Sequence, residues 1–486
     1  MALKRPILVG GLGLSATLWL LDTVHFNIFD SSTLLSAMAM GTGIWWWRQR
    51  DRNTAPPTST KPLMADRAAV ESALDQVETV LQTWSDEAEA AGKAEAIAEP
   101  LSRFQSQKQT LQASLERRQL AVAVVGESRT GKSTLMELLQ SQAMADAPLA
   151  QLALREVTLA SETGLAEDEF AADDAVLLVT EGDMTQSALN LIQARVMDGQ
   201  GVVLAFNKTD YYDPADREAV LHQLEQHTAT LPTPVEVVSI AAAPRAIKVR
   251  RYDENGTTSE TLEAAPVEMD SLYTCLKRTF LADTPALVAA TTLRQVRGLR
   301  REVQTELNTL RRDRARAQVD QLQWVAAAAA FANPVPTIDL LATVAINGQL
   351  IMDLGKVYGF NLSLEEAKTA ASTLARLTVK LGLVELSTQV LTAVLKSHFA
   401  TYLAGGIVQG LSAAYLTRMA GLSLMEYFEE AALAGTPTQD VSWEAIAARL
   451  RSAIQRNGQT RFLQSLAQQG IERLKPGAKV ALSVAE

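Results

Sequence analysis

The sequence predicts an α/β domain followed by an all-α domain, from two patterns along the 486-residue chain. Between residues 119 and 283, short apolar runs typical of buried strands alternate with helical segments. This alternation favours a mostly parallel sheet with helices on both faces. From residue 284 onward, apolar residues recur at helical spacing. A third pattern, two apolar runs near the amino terminus, predicts a transmembrane hairpin.

A glycine-bounded loop lies between the first predicted strand of the α/β domain and a helix. The apolar run 121–125 precedes it, and residues 135–139 follow it with helical character. In this context the pattern G-x-x-x-x-G-K-[ST] predicts a phosphate-binding loop, where backbone N–H groups and a helix N-terminus hold phosphates. We expect Lys132 to reach the phosphates and Ser133 to hold Mg²⁺. The loop comprises Gly126, Glu127, Ser128, Arg129, Thr130, Gly131, Lys132, Ser133 and Thr134.

A second loop indicates which base the nucleotide carries. The strand pattern 201–206 ends in Asn207, Lys208 and Asp210, with Thr209 between the last two. Two oxygens of the Asp210 carboxylate can accept hydrogen bonds from the N1–H and N2 amino groups of guanine, whereas adenine offers no such pair of donors. The sequence therefore predicts GTP and GDP as ligands in preference to ATP.

Composition excludes several classes of protein. The net charge is −10 and the pI about 5.2, which argue against nucleic-acid binding by the chain as a whole. The single cysteine, Cys275, rules out a disulfide within one chain and is typical of a reducing compartment. Since Leu272, Leu276 and Phe280 flank it at helical spacing, we expect a core residue and not a nucleophile.

The predicted membrane hairpin occupies residues 1–52, and membrane lipid is the partner that it implies. Apolar runs at 6–21 and 31–47 have basic residues at their outer ends and acidic residues in the turn between them, so both ends are expected in the cytoplasm. Each run is shorter than the roughly 20 residues of a spanning helix, a deficit that tilt or local thinning offsets. A single anchor or a re-entrant segment is the alternative. A secretory signal is disfavoured because no Ala-x-Ala cleavage site follows residue 21.

The remaining segments follow from composition and periodicity. A basic stretch at 293–324 suits either an anionic lipid surface or an ordinary surface helix with acidic counter-charges. For the apolar helices that follow, we favour a helical bundle over membrane insertion. Asp173 and Asp174 precede a strand at 175–180 and are expected in a solvated turn. The predicted boundaries are a linker at 53–62, a helical lead-in at 63–118, the α/β domain at 119–283 with a β-hairpin insert at 247–263, a helical domain at 284–430 and further helices at 431–486.

Two resemblances rest on these residues. The phosphate loop with N-K-x-D resembles Era-type GTPases, and Ser239, Ile240 and Ala241 are similar to the last guanine-contacting loop of that family. Residues 331–341 with 349–359 resemble the YcjF-like membrane-associated family of unknown function, which often follows such a GTPase in cyanobacterial proteins. These resemblances imply a cytoplasmic GTPase domain held at a plasma or thylakoid membrane.

The loop from Arg129 to Ser133 also resembles guanylate-binding proteins and atlastins. That likeness implies that Arg129 acts as an arginine finger and that the protein forms a homodimer through the nucleotide domain. A guanidinium suits the role because its planar donors match phosphoryl oxygens. The alternative is an arginine that points into solvent.

The pattern departs from the family after the next predicted strand, residues 155–160. Ser161 replaces the Asp of D-x-x-G that normally holds Mg²⁺ through water, Glu162 is one residue out of place, and Gly164 is retained to contact the γ-phosphate. The segment 142–151 is also short for a first switch. The leading interpretation is a membrane-anchored GTP-binding protein with slow GTPase activity. The alternatives are a pseudo-GTPase scaffold and a dynamin-like membrane remodeller.

Overall fold

A computed structural model describes most of the chain after the predicted linker. The predicted hairpin at 1–52, the linker and residues 253–257 of the predicted β-hairpin insert lie outside the described residues. Within the ranges that are described, no helix combines the length and the apolarity needed to cross a bilayer. The described residues are 66–159, 170, 172–233, 235–252, 258–332, 336–380, 405–435, 442–456, 466 and 469.

Two helices lead into the α/β domain: α1 (Arg67–Ala90) and α2 (Ala94–Ser114). The Asp66 carboxylate caps α1 by accepting a hydrogen bond from the Ala69 N–H at 2.8 Å. The break between the helices falls at Gly92, whose φ of +66° is one that glycine adopts without strain. One face of α1 is buried, as its three- and four-residue apolar spacing predicts. The buried residues are Val70, Leu74, Val77, Leu81, Trp84 and Ala88.

Five parallel strands form the sheet, in the order β2-β1-β3-β4-β5. They are β1 (Leu120–Gly126), β2 (Leu152–Thr158), β3 (Ala175–Thr180), β4 (Gly201–Phe206) and β5 (Glu236–Ser239). The chain passes from β1 to β2 on one side and then to β3 on the other. In open α/β sheets, ligands bind at the carboxyl edge where the strand order reverses in this way. The topology therefore places a crevice beside the end of β1.

Helices cover both faces of the sheet, as the alternating pattern predicts. On one face, α3 (Lys132–Ala145) packs against β1 and α6 (Asp270–Leu276) packs against β4 and β5, and Cys275 lies in this core as expected. On the other face lie α4 (Gln186–Met197) and α5 (Pro214–Ala229). The inner strands β1, β3 and β4 are buried on both sides, so their residues are apolar without alternation, whereas the edge strand β2 carries Arg155 and Glu156.

The predicted insert is an antiparallel hairpin of β6 (Ile247–Tyr252) and β7 (Thr258–Glu263), separate from the main sheet. Lys248 and Arg250 on β6 both form ion pairs with Glu260 on β7. The one carboxylate of Glu260 thus offsets one of these two positive charges.

The helical region begins with α7 (Thr284–Ala332), a helix of 49 residues that spans about 74 Å at 1.5 Å per residue. Among the described residues, four more helices pack into a bundle with it: α8 (Pro336–Tyr358), α9 (Leu364–Lys380), α10 (Gly405–Ala434) and α11 (Trp443–Arg456). The core contains many alanines beside larger apolar side chains. This arrangement is the bundle that the sequence favours.

One glycine permits a close contact between α7 and α10. A Cβ at Gly421 on α10 would lie 2.6 Å from Cγ2 of Val319 on α7. The helices α7 and α10 therefore meet at a distance that a larger residue at this position would prevent.

Some arginines of α7 form ion pairs with other helices, which neither sequence alternative includes, whereas Arg297, Arg301 and Arg316 are exposed. Arg311 and Arg314 both bind the Glu87 carboxylate of α1 at 2.7 Å, and Arg312 binds Glu429 of α10 at 2.5 Å. Arg311 is 8 % exposed. These arginines hold α7 to the lead-in helices and to the bundle, because guanidinium groups can bind carboxylates through two donors at once.

The expectation of a solvated turn at Asp173 and Asp174 is wrong. Asp174 is fully buried, accepts hydrogen bonds from the Arg117 guanidinium at 2.5 and 2.6 Å, and also accepts one from the Ala121 N–H at 2.7 Å. Asp173 is 4 % exposed and pairs with Arg155 at 2.5 Å. Arg117 and Arg155 compensate for the burial of both carboxylates. Because these arginines lie far from Asp173 and Asp174 in the chain, the local sequence does not predict the pairing.

Candidate functional site

The phosphate loop connects the end of β1 to the first turn of α3, as the sequence predicts. Gly131 has a φ of +92°, and a Cβ on it would lie 2.4 Å from Nδ2 of Asn207. A larger residue at position 131 is therefore excluded both by backbone conformation and by space. A Cβ on Gly126 would lie 2.4 Å from the Val179 carbonyl oxygen of β3. The glycines thus allow the loop to lie against β3 and the Asn207 side chain.

Arg129 is the one non-glycine residue of the loop with a positive φ, of 69°, among the described residues. Its side chain lines the cavity described below. Backbone strain of this kind is concentrated at functional sites, where the surrounding structure holds the residue in place.

Lys132 lies at the start of α3 and is 4 % exposed. Its Nζ donates a hydrogen bond to the Glu127 carbonyl oxygen at 2.7 Å, so the side chain runs back across the loop. The Thr130 hydroxyl donates to the same carbonyl at 3.0 Å. Burial lowers the pKa of Lys132, and the nearby Glu156 carboxylate opposes that shift. The loop thus presents a desolvated ammonium group at its centre.

Asn207 joins the phosphate loop to the loop that follows β5. The residue is 2 % exposed. Its Nδ2 donates to the Thr130 carbonyl oxygen at 2.9 Å, and its Oδ1 accepts from the Ala242 N–H at 3.1 Å. A single side chain at the end of β4 therefore fixes the loops after β1 and after β5 relative to each other.

The rest of the second loop forms a short 3₁₀ turn, Thr209–Tyr211. The Asp210 carboxylate is exposed, and its Oδ2 accepts a hydrogen bond from the Arg245 N–H at 2.9 Å. The Arg245 guanidinium carbon lies 3.5 Å from the centre of the Tyr211 ring. Lys208 Nζ donates to Glu181 at 2.5 Å, which holds its side chain beside Tyr211. This region offers a carboxylate, a flat ring and cationic groups at one end of the site.

The two loops line one cavity of about 340 Å³. The phosphate loop forms one end of the cavity, and Lys208 and Tyr211 of the second loop form the other. Asp210 lies between these two residues in the chain but is not itself among the lining residues. The lining residues are Arg129, Gly131, Lys132, Ser133, Thr134, Glu156, Asn207, Lys208, Tyr211, Ala242 and Ala243.

The segment Ser239 to Ala241, which the sequence predicts to contact guanine, does not line the cavity. The Ile240 N–H donates to the Phe206 carbonyl at 2.8 Å, and the Ala241 N–H donates to the Glu268 carbonyl at 3.0 Å. Ser239 accepts from Arg217 at 3.2 Å. Since these groups are engaged elsewhere, Ala242 and Ala243 line the cavity in place of Ser239, Ile240 and Ala241. The residues of the loop after β5 that face the cavity are therefore not the ones that the sequence singles out.

The strand that precedes the D-x-x-G position also differs from its prediction. It runs from Leu152 to Thr158 and not from 155 to 160, and Thr158 lies opposite Gly126 in the register. Ser161, Glu162 and Gly164 lie outside the described residues. The connection between α3 and β2 is residues 146–151, and it contains only a 3₁₀ turn, so no first-switch strand lies there.

Sequence reasoning missed one acidic residue. Glu156 on β2 lies beside the phosphate loop, and its Oε2 and Oε1 lie 2.9 and 3.2 Å from the Ser133 hydroxyl, which donates to them. Its Oε1 is also 4.0 Å from Lys132 Nζ. The strand pattern Leu152-x-Leu154-x-Glu156, which puts a carboxylate on the face that packs against α3, was the available signal.

The oxygen atoms at this position suit a hard cation such as Mg²⁺. Among the described residues, no group of three or more acidic, histidine or cysteine side chains is placed to hold a metal by itself. Mg²⁺ ordinarily binds through one or two protein oxygens together with substrate phosphates and water. Ser133 and Glu156 therefore fit the ion as partners of a phosphate ligand.

Comparison with solved structures gives only distant likenesses. The LAO/AO transport system kinase is 13 % identical, with 64 % of this chain and 99 % of that chain covered and a TM-score of 0.24. The LeoA bacterial dynamin GTPase from ETEC is 12 % identical, covering 84 % and 100 %, with a TM-score of 0.23. A member of an oligomerised bacterial dynamin pair is 9 % identical, covering 84 % and 77 %, with a TM-score of 0.21. No curated protein matches the chain.

A family match is found in the helical region. Residues 294–455 match the domain of unknown function DUF697, which is characteristic of YcjF-like proteins. The match begins within α7, includes α8 to α10 and ends in α11, so it covers the bundle and about a third of the chain. The helical region is therefore similar to DUF697 over residues 294–455, and it follows the parallel α/β domain that carries the phosphate loop.

Proposed function

We propose that the protein binds GTP and GDP together with Mg²⁺ and hydrolyses GTP slowly. The observation that carries this proposal is the single cavity between the phosphate loop and Lys208 and Tyr211, with Asn207 hydrogen-bonded to the loops on both sides of it. A nucleotide requires this juxtaposition, because its phosphates and its base must be bound at the two ends of one site.

Each side chain has a distinct part in that reaction. Lys132 and the backbone N–H groups of the loop stabilise the charge that develops on the transferred phosphoryl group. Ser133 would hold Mg²⁺ from the loop, and the ion would supply charge neutralisation to the phosphates. Asp210 selects guanine by accepting two hydrogen bonds from the base. Arg129, at the mouth of the loop, adds a guanidinium toward the phosphates when a second nucleotide domain packs against it.

The proposed hydrolysis is slow because the elements that usually order the attacking water are reduced. Only residues 146–151 connect α3 to β2, which leaves no segment for a first switch. The same observation favours the second candidate function, a scaffold that binds nucleotide without turnover. The membrane-remodelling alternative rests on Arg129 and on the predicted hairpin, and it stays a prediction.

The helix α7 connects the α/β domain, which holds the nucleotide site, to the helical bundle. Near its start, α7 packs on the α/β domain, where Arg294 donates to the carbonyl oxygens of Asp173 at 2.9 Å and Asp198 at 3.0 Å. The same helix continues into the DUF697 domain without a break. A displacement of the sheet would therefore move the bundle. Anchoring of this assembly through residues 1–52 is the proposed membrane attachment.

The proposal is tested by GTP binding and turnover of the full chain against Lys132→Ala. Loss of the ammonium group should weaken GTP binding by at least about 10-fold and abolish turnover, since a phosphate contact of a charged group contributes about 1.5–3 kcal/mol. Lys356→Ala, on the exposed side of α8, is the matched control. Equal binding and equal turnover in all three proteins would refute the proposal, whereas Lys132-dependent binding without turnover would favour the scaffold.

A further inference from the structure

The position of Glu156 follows from the periodicity of β2. Side chains two residues apart on a strand share a face. Leu152 and Leu154 pack into the core beside Leu135 and Leu139 of α3. Glu156 continues that face toward the carboxyl end of the strand, where α3 begins. An acidic group is thus held at the edge of the sheet next to the phosphate loop.

The contacts of Glu156 connect it to the two residues of the loop that handle phosphate and metal. The Ser133 hydroxyl donates to both carboxylate oxygens, and Lys132 Nζ lies 4.0 Å away. Its side chain is 38 % exposed, so solvent and ligands can reach it. Among the described residues that line the cavity, Glu156 carries the only carboxylate.

We infer that Glu156 is the positioning residue for Mg²⁺ at this site, in place of the Asp that Ser161 replaces. Its carboxylate orients the Ser133 hydroxyl and adds negative charge beside the ion, which are the two effects by which residues around a metal site raise affinity. This inference rests on the proposed function, because the ion is held together with the nucleotide.

The charge of Glu156 should raise the affinity for nucleotide when Mg²⁺ is present and lower it when no divalent ion is present. When Mg²⁺ is present, the carboxylate attracts the ion and so favours the nucleotide–metal complex. Without a divalent ion, the same carboxylate lies close to phosphate oxygens and repels them. A residue with a purely structural role would change the affinity for nucleotide in the same direction under both conditions.

The test is GTP affinity of the full chain in Mg²⁺ and in EDTA, for wild type and for Glu156→Gln. The gain in affinity on adding Mg²⁺ should fall about 10- to 100-fold in the variant. Its affinity in EDTA should be equal to or higher than that of wild type. Glu137→Gln on the exposed face of α3 removes the same charge and should leave both affinities unchanged. Mn²⁺ bound with GDP, measured by electron paramagnetic resonance, provides a readout independent of turnover.

The variant Glu156→Asp distinguishes an effect of the carboxylate charge from an effect on folding. Because it keeps the carboxylate, it should recover part of the metal dependence that Glu156→Gln loses, even if both shift stability. Wild-type metal dependence in Glu156→Gln, or equal losses in Mg²⁺ and EDTA, would overturn the inference and leave the proposed function intact. Failure of wild type to bind GTP in either condition would overturn both.

Discussion

Replacement of Asn207 by Ala tests the connection between the two loops most sharply. The side chain is 2 % exposed and makes two hydrogen bonds, one to the Thr130 carbonyl at 2.9 Å and one from the Ala242 N–H at 3.1 Å. The substitution removes both bonds and leaves both backbone groups without their partner. It changes no charge, so any effect reports the loss of these contacts.

The expected loss of stability follows from the two backbone groups, the Thr130 C=O and the Ala242 N–H, that lose their hydrogen-bond partner. Each buried polar group left unpaired costs about 1–3 kcal/mol, which gives about 2–6 kcal/mol for the pair. Since Asn207 lines the cavity, water can enter and satisfy part of this demand. We therefore expect a loss of about 2–3 kcal/mol in the free energy of unfolding. GTP affinity should fall at least about 10-fold, because the two loops are no longer held in register.

The assay combines urea unfolding, followed by circular dichroism, with a GTP titration. Asn190→Ala is the control, since this asparagine is exposed on α4 and its side chain accepts a hydrogen bond from Gln186 one turn away. The control should lie within about 0.5 kcal/mol of wild type. If Asn207→Ala behaved like the control in both measurements, the reasoning about the connected loops would be wrong.

Three further predictions concern base choice, helix packing and the cysteine. Asp210→Asn should reduce the preference for GTP over ATP by at least about 10-fold in competition binding, and an unchanged preference would contradict its role toward guanine. Glu87→Gln should lower the free energy of unfolding by about 1.5–3 kcal/mol through its bonds with Arg311, whereas the exposed Glu89→Gln should not. Burial raises the pKa of Cys275 to about 12, so the thiol stays protonated in the fold. A thiol reagent at about pH 8 should modify it in urea only, given an ordinary pKa of about 8.5.

Local patterns in the sequence predict the parts of the site that depend on local geometry. The loop at 126–134 and Asn207 with its neighbours lie where strand, turn and helix signals place them. The alternation of strands and helices also gives the parallel sheet and its covered faces. Their success has a common cause, since backbone periodicity and glycine conformation are properties of a few consecutive residues.

The features that the sequence misses depend on residues far apart in the chain. Glu156 lies beside the phosphate loop only because β2 pairs with β1. The predicted strand, 155–160, starts three residues later than the observed one, so the sequence does not identify Glu156 as a residue of the site. Asp174 is paired with Arg117, 57 residues away, so its burial leaves no local trace. The arginines of α7 find Glu87 more than 220 residues earlier. Tertiary contacts decide whether such charges face water or form pairs.

The central claim is that one cavity holds both the phosphates and the guanine of a nucleotide. The most direct measurement is a calorimetric titration of the full chain with GTP, GDP and ATP, with and without Mg²⁺. We expect one site per chain that binds GTP and GDP, with ATP at least about 10-fold weaker. Absence of heat with every nucleotide, or equal binding of GTP and ATP, would contradict the account.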